Sequence, residues 1–288
     1  MLRDLGSRDT QFINVIKEVR SGVLKLAGVS EQEFTMIPIQ GSGTFGIEAV
    51  ISSVVPRNGR LLIVANGAYG QRQEKIAKAY GMTYTLLNYS DDTPPNEKDI
   101  AAALEKHSDI THVSMVHSET TSGIMNDIHT IGKLVAKHNK SFIVDAMSSF
   151  GAIPIDFKSA GIDFLITSAN KCIQGSPGFA IVIGRRSSVE KAKGNARTLT
   201  YVRCWSTIPT RCLNWPLIVG LCFLRLDIWD QNKGLDGDGQ FRFTPPTHSL
   251  LAFRQALKEL EEEGGVLGRQ KRYQQNHDIV STYLFSVR

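Results

Sequence analysis

The chain has 288 residues, of which 42% are hydrophobic and 21% are charged, which is enough for one large domain or two smaller ones with an apolar core. This composition excludes a disordered protein, and no apolar run reaches the roughly 20 residues of a membrane-spanning helix. The net charge of +5 is not arranged as a basic stripe with interleaved aromatic residues, so we expect no binding to nucleic acid. Because no apolar signal segment is visible, we expect a cytoplasmic protein, or a mitochondrial one if a transit peptide precedes this sequence.

The first part of the chain alternates between helical and strand patterns. Apolar residues at helical spacing predict an amphipathic helix over residues 9–27, which Gly28 ends. Strands are then predicted at 36–40, 60–67, 83–89, 110–118, 141–147, 164–170 and 179–184, and helices at 47–55, 69–81, 96–107 and 127–139. Such alternation predicts an α/β fold with a mostly parallel sheet and helices on both of its faces.

Polar residues cluster directly after five of the predicted strands. These clusters cover residues 40–45, 66–69, 117–123, 145–149 and 168–174. Ligands of parallel α/β sheets bind at the carboxyl ends of the strands, so we expect a binding site where the five clusters meet.

The segment 201–225 differs in composition from the rest of the chain. It holds three of the four cysteines and no Asp, Glu or Lys. Its cysteines form no CxxC pair and have no histidine at ligand spacing, so we expect no zinc site. We interpret it as a buried irregular segment or as one that does not belong to the fold. A helix is predicted after it at 248–265, and the closing STYLFSVR indicates no clear terminal element.

The turn at residues 41–46, GSGTFG, follows a predicted strand and precedes a predicted helix. Small residues at a helix N-terminus favour a phosphate site, although the same pattern also fits an ordinary tight turn. The turn matches GxGxxG as well, but the next predicted strand ends in ANG, without the acid that binds a ribose in NAD-dependent oxidoreductases. A P-loop is excluded because no GK[ST] follows.

Two charged residues, Asp145 and Lys171, end neighbouring predicted strands. They are either a structural ion pair, two unrelated loop charges, or a functional pair in which Asp145 binds a protonated pyridine nitrogen and Lys171 forms an imine with an aldehyde. For the last role, we expect burial and neighbouring positive charge to make Lys171 a nucleophile. Together with the phosphate turn, the functional pair predicts a pyridoxal phosphate site. Tyr69 would stack on the ring and Thr120 would bond its hydroxyl, unless they are an exposed aromatic residue and a turn hydroxyl.

Several segments resemble the 2-aminoethylphosphonate–pyruvate aminotransferases of the class V aminotransferase family: QGSGTFGIEA, ANGAYGQR, HSETTSGIMND, VDAMSSFGAIPID, SANKCIQGSPGF and FRFTPPTHSLLAF. The resemblance implies the PLP-dependent transferase fold type I, a homodimer, and transfer of the amino group of 2-aminoethylphosphonate to pyruvate. It also implies the site residues: Lys171 as the Schiff-base lysine and proton-shifting base, Asp145 at the pyridine nitrogen, Ser42, Gly43 and Thr44 at the phosphate, Tyr69 on the ring, Thr120 at its edge, Asn170 beside Lys171, and Thr244 at the phosphate of the neighbouring subunit's cofactor.

The resemblance also predicts the domain organisation. A large cofactor-binding domain covers residues 1–262, with 201–225 as an atypical insert whose composition resembles translated non-coding sequence, and an incomplete C-terminal small domain starts at 263–288. In the family, a preceding Thr-Pro-Gly-Pro segment and a C-terminal arginine for the acidic group of the substrate lie outside this sequence. Two alternatives therefore stay open: an alanine–glyoxylate or serine–pyruvate type aminotransferase, and a catalytically incomplete product that binds the cofactor or dimerises.

Overall fold

A seven-stranded sheet lies at the centre of the computed structural model, which describes residues 5–197 and 227–286. Its strands are β1 (Phe34–Gln40), β2 (Arg60–Ala65), β3 (Thr83–Asn88), β4 (Ile110–Val116), β7 (Ser141–Asp145), β8 (Phe164–Ser168) and β9 (Phe179–Arg185). Two further strands, β5 (Ser118–Glu119) and β6 (Ile124–Met125), form a separate small hairpin. The order in the large sheet is β1–β9–β8–β7–β4–β2–β3, and β9 alone of these described strands is antiparallel to its neighbours. The prediction of a mostly parallel α/β sheet is confirmed.

The described helices are α1 (Thr10–Leu26), α2 (Gly43–Val54), α3 (Ala68–Ala79), α4 (Glu97–Lys106), α5 (Ile128–Lys137), α6 (Arg186–Lys191), α7 (Ile228–Gly237), α8 (Thr247–Glu262) and α9 (Gly265–Ser286). Most agree with the predicted helices to within a few residues at each end. Helix α2 begins four residues before the predicted start, because part of the polar turn forms its first turn. Among the described residues, no helix combines the length and apolar character needed to cross a membrane.

The end of the chain corrects one expectation. We predicted no terminal element, whereas α9 extends over 22 residues. Several apolar side chains of this helix are exposed, as at Leu267, Ile279 and Leu284, and no apolar residue with described burial in it is buried, so periodicity detects no buried stripe. Its buried residue is instead the charged Arg269. The break between α8 and α9 coincides with the predicted domain boundary after residue 262, and the division into domains stays a prediction.

The sheet brings the strand-end clusters to one edge. Strands β1, β2, β4, β7 and β8 run in one direction, so the residues after them meet there. Close packing of α3 against β2 depends on Gly70, where a Cβ atom would lie 2.6 Å from the Cβ and 2.7 Å from the Cα of Ala65. This contact holds the first turn of α3 against the same edge. The insert predicted at 201–225 lies outside the described residues.

Candidate active site

A cavity of about 390 Å³ opens at the carboxyl edge of the sheet. The cavity is lined by residues of all the strand-end loops: Gly41, Ser42, Gly43, Thr44, Tyr69, Arg72, Val116, Ser118, Asp145, Met147, Ser148, Ser168, Asn170, Lys171, Pro177 and Gly178. Seven of the nine predicted site residues are in this lining. Among these seven residues, the fold brings together side chains that are up to 129 positions apart in sequence (Ser42 to Lys171).

The N-terminus of α2 forms one wall of the cavity. Ser42 is its N-cap residue, with extended backbone angles, but its hydroxyl caps no N–H group of the helix. A Cβ atom at Gly43 would lie 2.5 Å from the Sδ atom of Met147, so only glycine fits there without moving that side chain. A helix N-terminus with a partial positive charge and neighbouring hydroxyl groups suits an anion such as a phosphate.

Asp145 lies at the base of the cavity, at the end of β7, with 4% of its surface exposed. Its Oδ1 atom accepts a hydrogen bond of 3.0 Å from the N–H of Met147. Burial raises the pKa of Asp145 to about 6, while that hydrogen bond and the charge of Arg72 lower it. A buried carboxylate of this kind is stabilised by a cationic group of a ligand, such as a protonated nitrogen.

Lys171 lies in the loop after β8 and is exposed. The expectation that it is buried is wrong for this chain, because the loop lies at the open mouth of the cavity. The backbone of the loop is nevertheless held: Gln174 N–H donates to the Lys171 carbonyl and Gly175 N–H to the Ala169 carbonyl, both at 2.8 Å. Among the described ion pairs, none joins Lys171 to Asp145. Both residues line the same cavity without forming the structural pair that was one alternative.

Two charged residues in contact with Tyr69 were missed by the sequence reasoning: Arg72, which lines the cavity, and Glu119, which does not. The guanidinium of Arg72 lies 4.7 Å from the ring centroid of Tyr69, and its Nη1 atom donates to Thr44 Oγ1 at 3.3 Å. The fully buried Glu119 accepts hydrogen bonds from the N–H groups of Tyr69 and Gly70, at 3.2 and 3.4 Å. Both residues lie in the quoted segments ANGAYGQR and HSETTSGIMND, but periodicity alone does not predict that they support Tyr69.

His117 fixes the loop after β4 beside Asp145. Its imidazole Nδ1 lies 2.8 Å from Ser149 Oγ, and its backbone N–H donates to the Asp145 carbonyl at 2.8 Å. Burial lowers the pKa of His117 to about 4, so the ring is neutral at neutral pH.

Thr120 and Thr244 lie outside the cavity lining. Thr120 is exposed in the turn between β5 and β6. Thr244 is also exposed, and its carbonyl accepts a hydrogen bond of 2.9 Å from the side chain of Gln40 at the end of β1. The roles of these two threonines at the cofactor stay predictions.

Comparison with known proteins identifies relatives of the whole chain. The model of the aminotransferase class-V family matches residues 1–210. A 2-aminoethylphosphonate–pyruvate transaminase from Lysinibacillus sphaericus is 42% identical over 99% of this chain and 71% of its own length. A bifunctional phosphonoacetaldehyde hydrolase/aminoethylphosphonate transaminase from Clostridioides difficile is 39% identical over 100% of this chain and 41% of its own length.

Solved structures share the fold. An alanine–glyoxylate aminotransferase from Nostoc superposes with a TM-score of 0.81 at 22% identity, over 99% of this chain and 69% of the other. A pyridoxamine–pyruvate aminotransferase from Mesorhizobium loti superposes with a TM-score of 0.74 at 24% identity, over 91% of this chain and 61% of the other.

Proposed function

The chain belongs to the class-V aminotransferase family, and we propose that it is a pyridoxal 5'-phosphate-dependent transaminase that moves the amino group of 2-aminoethylphosphonate to pyruvate, giving phosphonoacetaldehyde and L-alanine. The observation that carries the proposal is the common cavity of Asp145, Lys171 and the N-terminus of α2. The substrate assignment is supported by the relatives that are named for this reaction and of which the chain spans about 71%.

The donor set of the cavity fits the cofactor. The uncapped first turn of α2 and the hydroxyls of Ser42 and Thr44 would hold the phosphate, and the carboxylate of Asp145 would hold the ring nitrogen. Tyr69, which Glu119 fixes through the backbone, would supply an aromatic face for the ring.

The bound cofactor supplies an electron sink for the carbanion that forms when a proton leaves the substrate carbon. The amine of Lys171 would hold the cofactor through its aldehyde and would serve as the base that takes up and returns the proton of the substrate carbon. Asp145 keeps the ring nitrogen protonated, and a guanidinium at the cavity wall, that of Arg72, favours anionic substrates over neutral ones.

The proposal includes a homodimer in which Thr244 reaches the cofactor phosphate of the neighbouring subunit. In support, the Gln40–Thr244 hydrogen bond places this exposed residue next to the phosphate turn that follows β1, on the outside of the cavity. Sedimentation of the purified chain measures the assembly, and a monomer at all concentrations would contradict this part.

The visible absorption of the purified chain with pyridoxal phosphate tests the proposal. We expect a cofactor band that 2-aminoethylphosphonate bleaches, and after borohydride reduction we expect the cofactor on Lys171 by peptide mass spectrometry. Lys171→Ala should lose both signals, whereas the matched control Lys158→Ala, at an exposed residue outside the cavity, should keep them. A band that responds to L-serine or L-alanine but not to 2-aminoethylphosphonate would contradict the substrate assignment, and no band at all would contradict the cofactor.

A further inference from the structure

Gln73 on α3 has a buried amide group with one unused donor. The side chain is 1% exposed, and its Oε1 atom accepts a hydrogen bond from the hydroxyl of Ser114 on β4. Its Nε2 atom is buried and has no hydrogen-bond partner among the described residues. Buried amide donors of native proteins are nearly always paired, so this one needs an explanation.

The amide borders a small cavity of about 30 Å³ that adjoins the active-site cavity and shares five of its lining residues. Gln73 and Asp145 both line it, together with Thr44, Ile47, Tyr69, Arg72 and Met147. The volume is large enough for one water molecule that bridges the amide to the carboxylate. Burial raises the pKa of Asp145, and the nearby amide of Gln73 acts in the opposite direction as a weaker influence.

The orientation of the amide is determined by its neighbours. When Oε1 faces Ser114, it accepts the hydrogen bond of the Ser114 hydroxyl, and the Nε2 group is left as a donor for the carboxylate of Asp145. In the reversed orientation, Oε1 would be left for the carboxylate oxygens, and two acceptors would repel each other.

We propose that Gln73 is a positioning residue: its Nε2 group, held in place by Ser114, keeps Asp145 ionised and oriented toward the main cavity. This inference rests on the proposed function, since an ionised Asp145 is what binds the protonated ring nitrogen. The support for Asp145 then reaches from Ser114 on β4 through Gln73 on α3 to the end of β7.

Other charged groups also act on Asp145. Glu119 raises its pKa and Arg72 lowers it, while Lys171 lines the main cavity that Asp145 shares. None of these groups is changed by a substitution at Gln73 or Ser114, so a change in the titration of Asp145 reports on the amide.

The test is the pH titration of the Asp145 carboxyl by ¹³C NMR in the full chain without cofactor, with the resonance assigned through Asp145→Asn. We expect Gln73→Met, which keeps the side-chain volume but lacks the donor, to raise the titration midpoint by about 1 pH unit. The affinity for pyridoxal phosphate should weaken several-fold at pH 6.5 and much less at pH 8.5, where Asp145 is ionised in both proteins. The matched control is Gln71→Met on the same helix, outside both cavities, with an unchanged midpoint.

An unchanged midpoint in folded Gln73→Met protein would overturn the inference. If that variant does not fold, Ser114→Ala decides: an upward shift supports the role of the oriented amide, and no shift overturns it. Because the NMR measurement uses the cofactor-free chain, a failure of the proposed function shows up separately, as absence of cofactor binding by the unmodified protein.

Discussion

At the scale of single residues, Asp145 is the group of the cavity whose burial is least favourable for the stability of the folded chain. It is buried close to a second carboxylate, that of Glu119, and the nearby cation, Arg72, forms no ion pair with it among the described contacts. Without a cationic ligand, burial of such a charge lowers the stability of the folded chain. This arrangement is understandable if the residue serves binding rather than folding.

The first prediction follows from this cost. The folded pKa of Asp145 is about 6, above its unfolded value, so the folded state holds the proton more tightly and stability falls as pH rises from about 4 to 6. Asp145→Asn removes the ionisation, and we expect it to stabilise the cofactor-free chain at pH 7.5 by on the order of 2 kcal/mol. Urea unfolding measures this. The gain should vanish near pH 4, where the unmodified Asp145 is protonated, and a destabilised variant at pH 7.5 would contradict the argument.

At the scale of elements, α9 holds the loop that carries Lys171. The buried guanidinium of Arg269 donates to the carbonyl of Cys172 and forms an ion pair of 2.6 Å with Glu263. A second arginine, Arg272, pairs with the same carboxylate at 2.7 Å and donates to the side chain of Gln174 at 3.3 Å. Both loop residues that α9 contacts lie within three positions of Lys171.

We therefore expect Arg269→Met to loosen this loop. The substitution leaves the Cys172 carbonyl and part of Glu263 without a partner, which should destabilise the chain by roughly 2–3 kcal/mol. Hydrogen–deuterium exchange should become faster in residues 169–178. The control Arg254→Met removes an exposed pair with Glu18 at 3.3 Å, with an expected loss below about 0.5 kcal/mol and unchanged exchange in the loop. Equal exchange in both variants would show that α9 does not support the loop.

At the scale of the whole molecule, two buried histidines make stability depend on pH between about 6.5 and 4. Burial lowers the pKa of both His112 and His117 to about 4, below the ordinary value. The unfolded chain therefore binds these protons more tightly, and the two groups cost stability as pH falls from about 6.5 to 4. Protonation of Asp145 raises the stability as pH falls from about 6 to 4, but this is one group against two histidines.

The third prediction is accordingly that the free energy of unfolding decreases below about pH 6.5, and that it decreases less steeply with falling pH in His112→Gln than in the unmodified chain. One of the two titrating rings is then absent, so the slope of the unfolding free energy between pH 6 and 5 should decrease. Thermal unfolding at a series of pH values measures it. His277→Gln, at a side chain with 71% exposure, is the control with an unchanged slope, and equal slopes for His112→Gln and the unmodified chain would refute the assignment.

Local patterns of the sequence were sufficient to predict the alternation of strands and helices, and with it the edge at which the site lies. The polar residues after β1, β2, β7 and β8 could be placed because a strand end is a local property and parallel strands bring their ends together. Strand-end position left the roles of Lys171 and Asp145 open among three alternatives, and the resemblance to a known family favoured the cofactor roles. Helix α9 could not be predicted, because its exposed apolar residues follow no buried stripe.

The sequence by itself therefore determined the fold class and the family, and it singled out the residues that we propose hold the cofactor. Only the tertiary structure decided how those residues are supported. Glu119 accepts a hydrogen bond from the backbone of Tyr69 in the first turn of α3, and Gln73 lines a small cavity together with Asp145. The tertiary structure also decided that Lys171 is exposed. The physical reason is the range of the interactions. Periodicity and strand ends depend on neighbours along the chain, whereas burial and pKa values depend on groups that are tens of positions away.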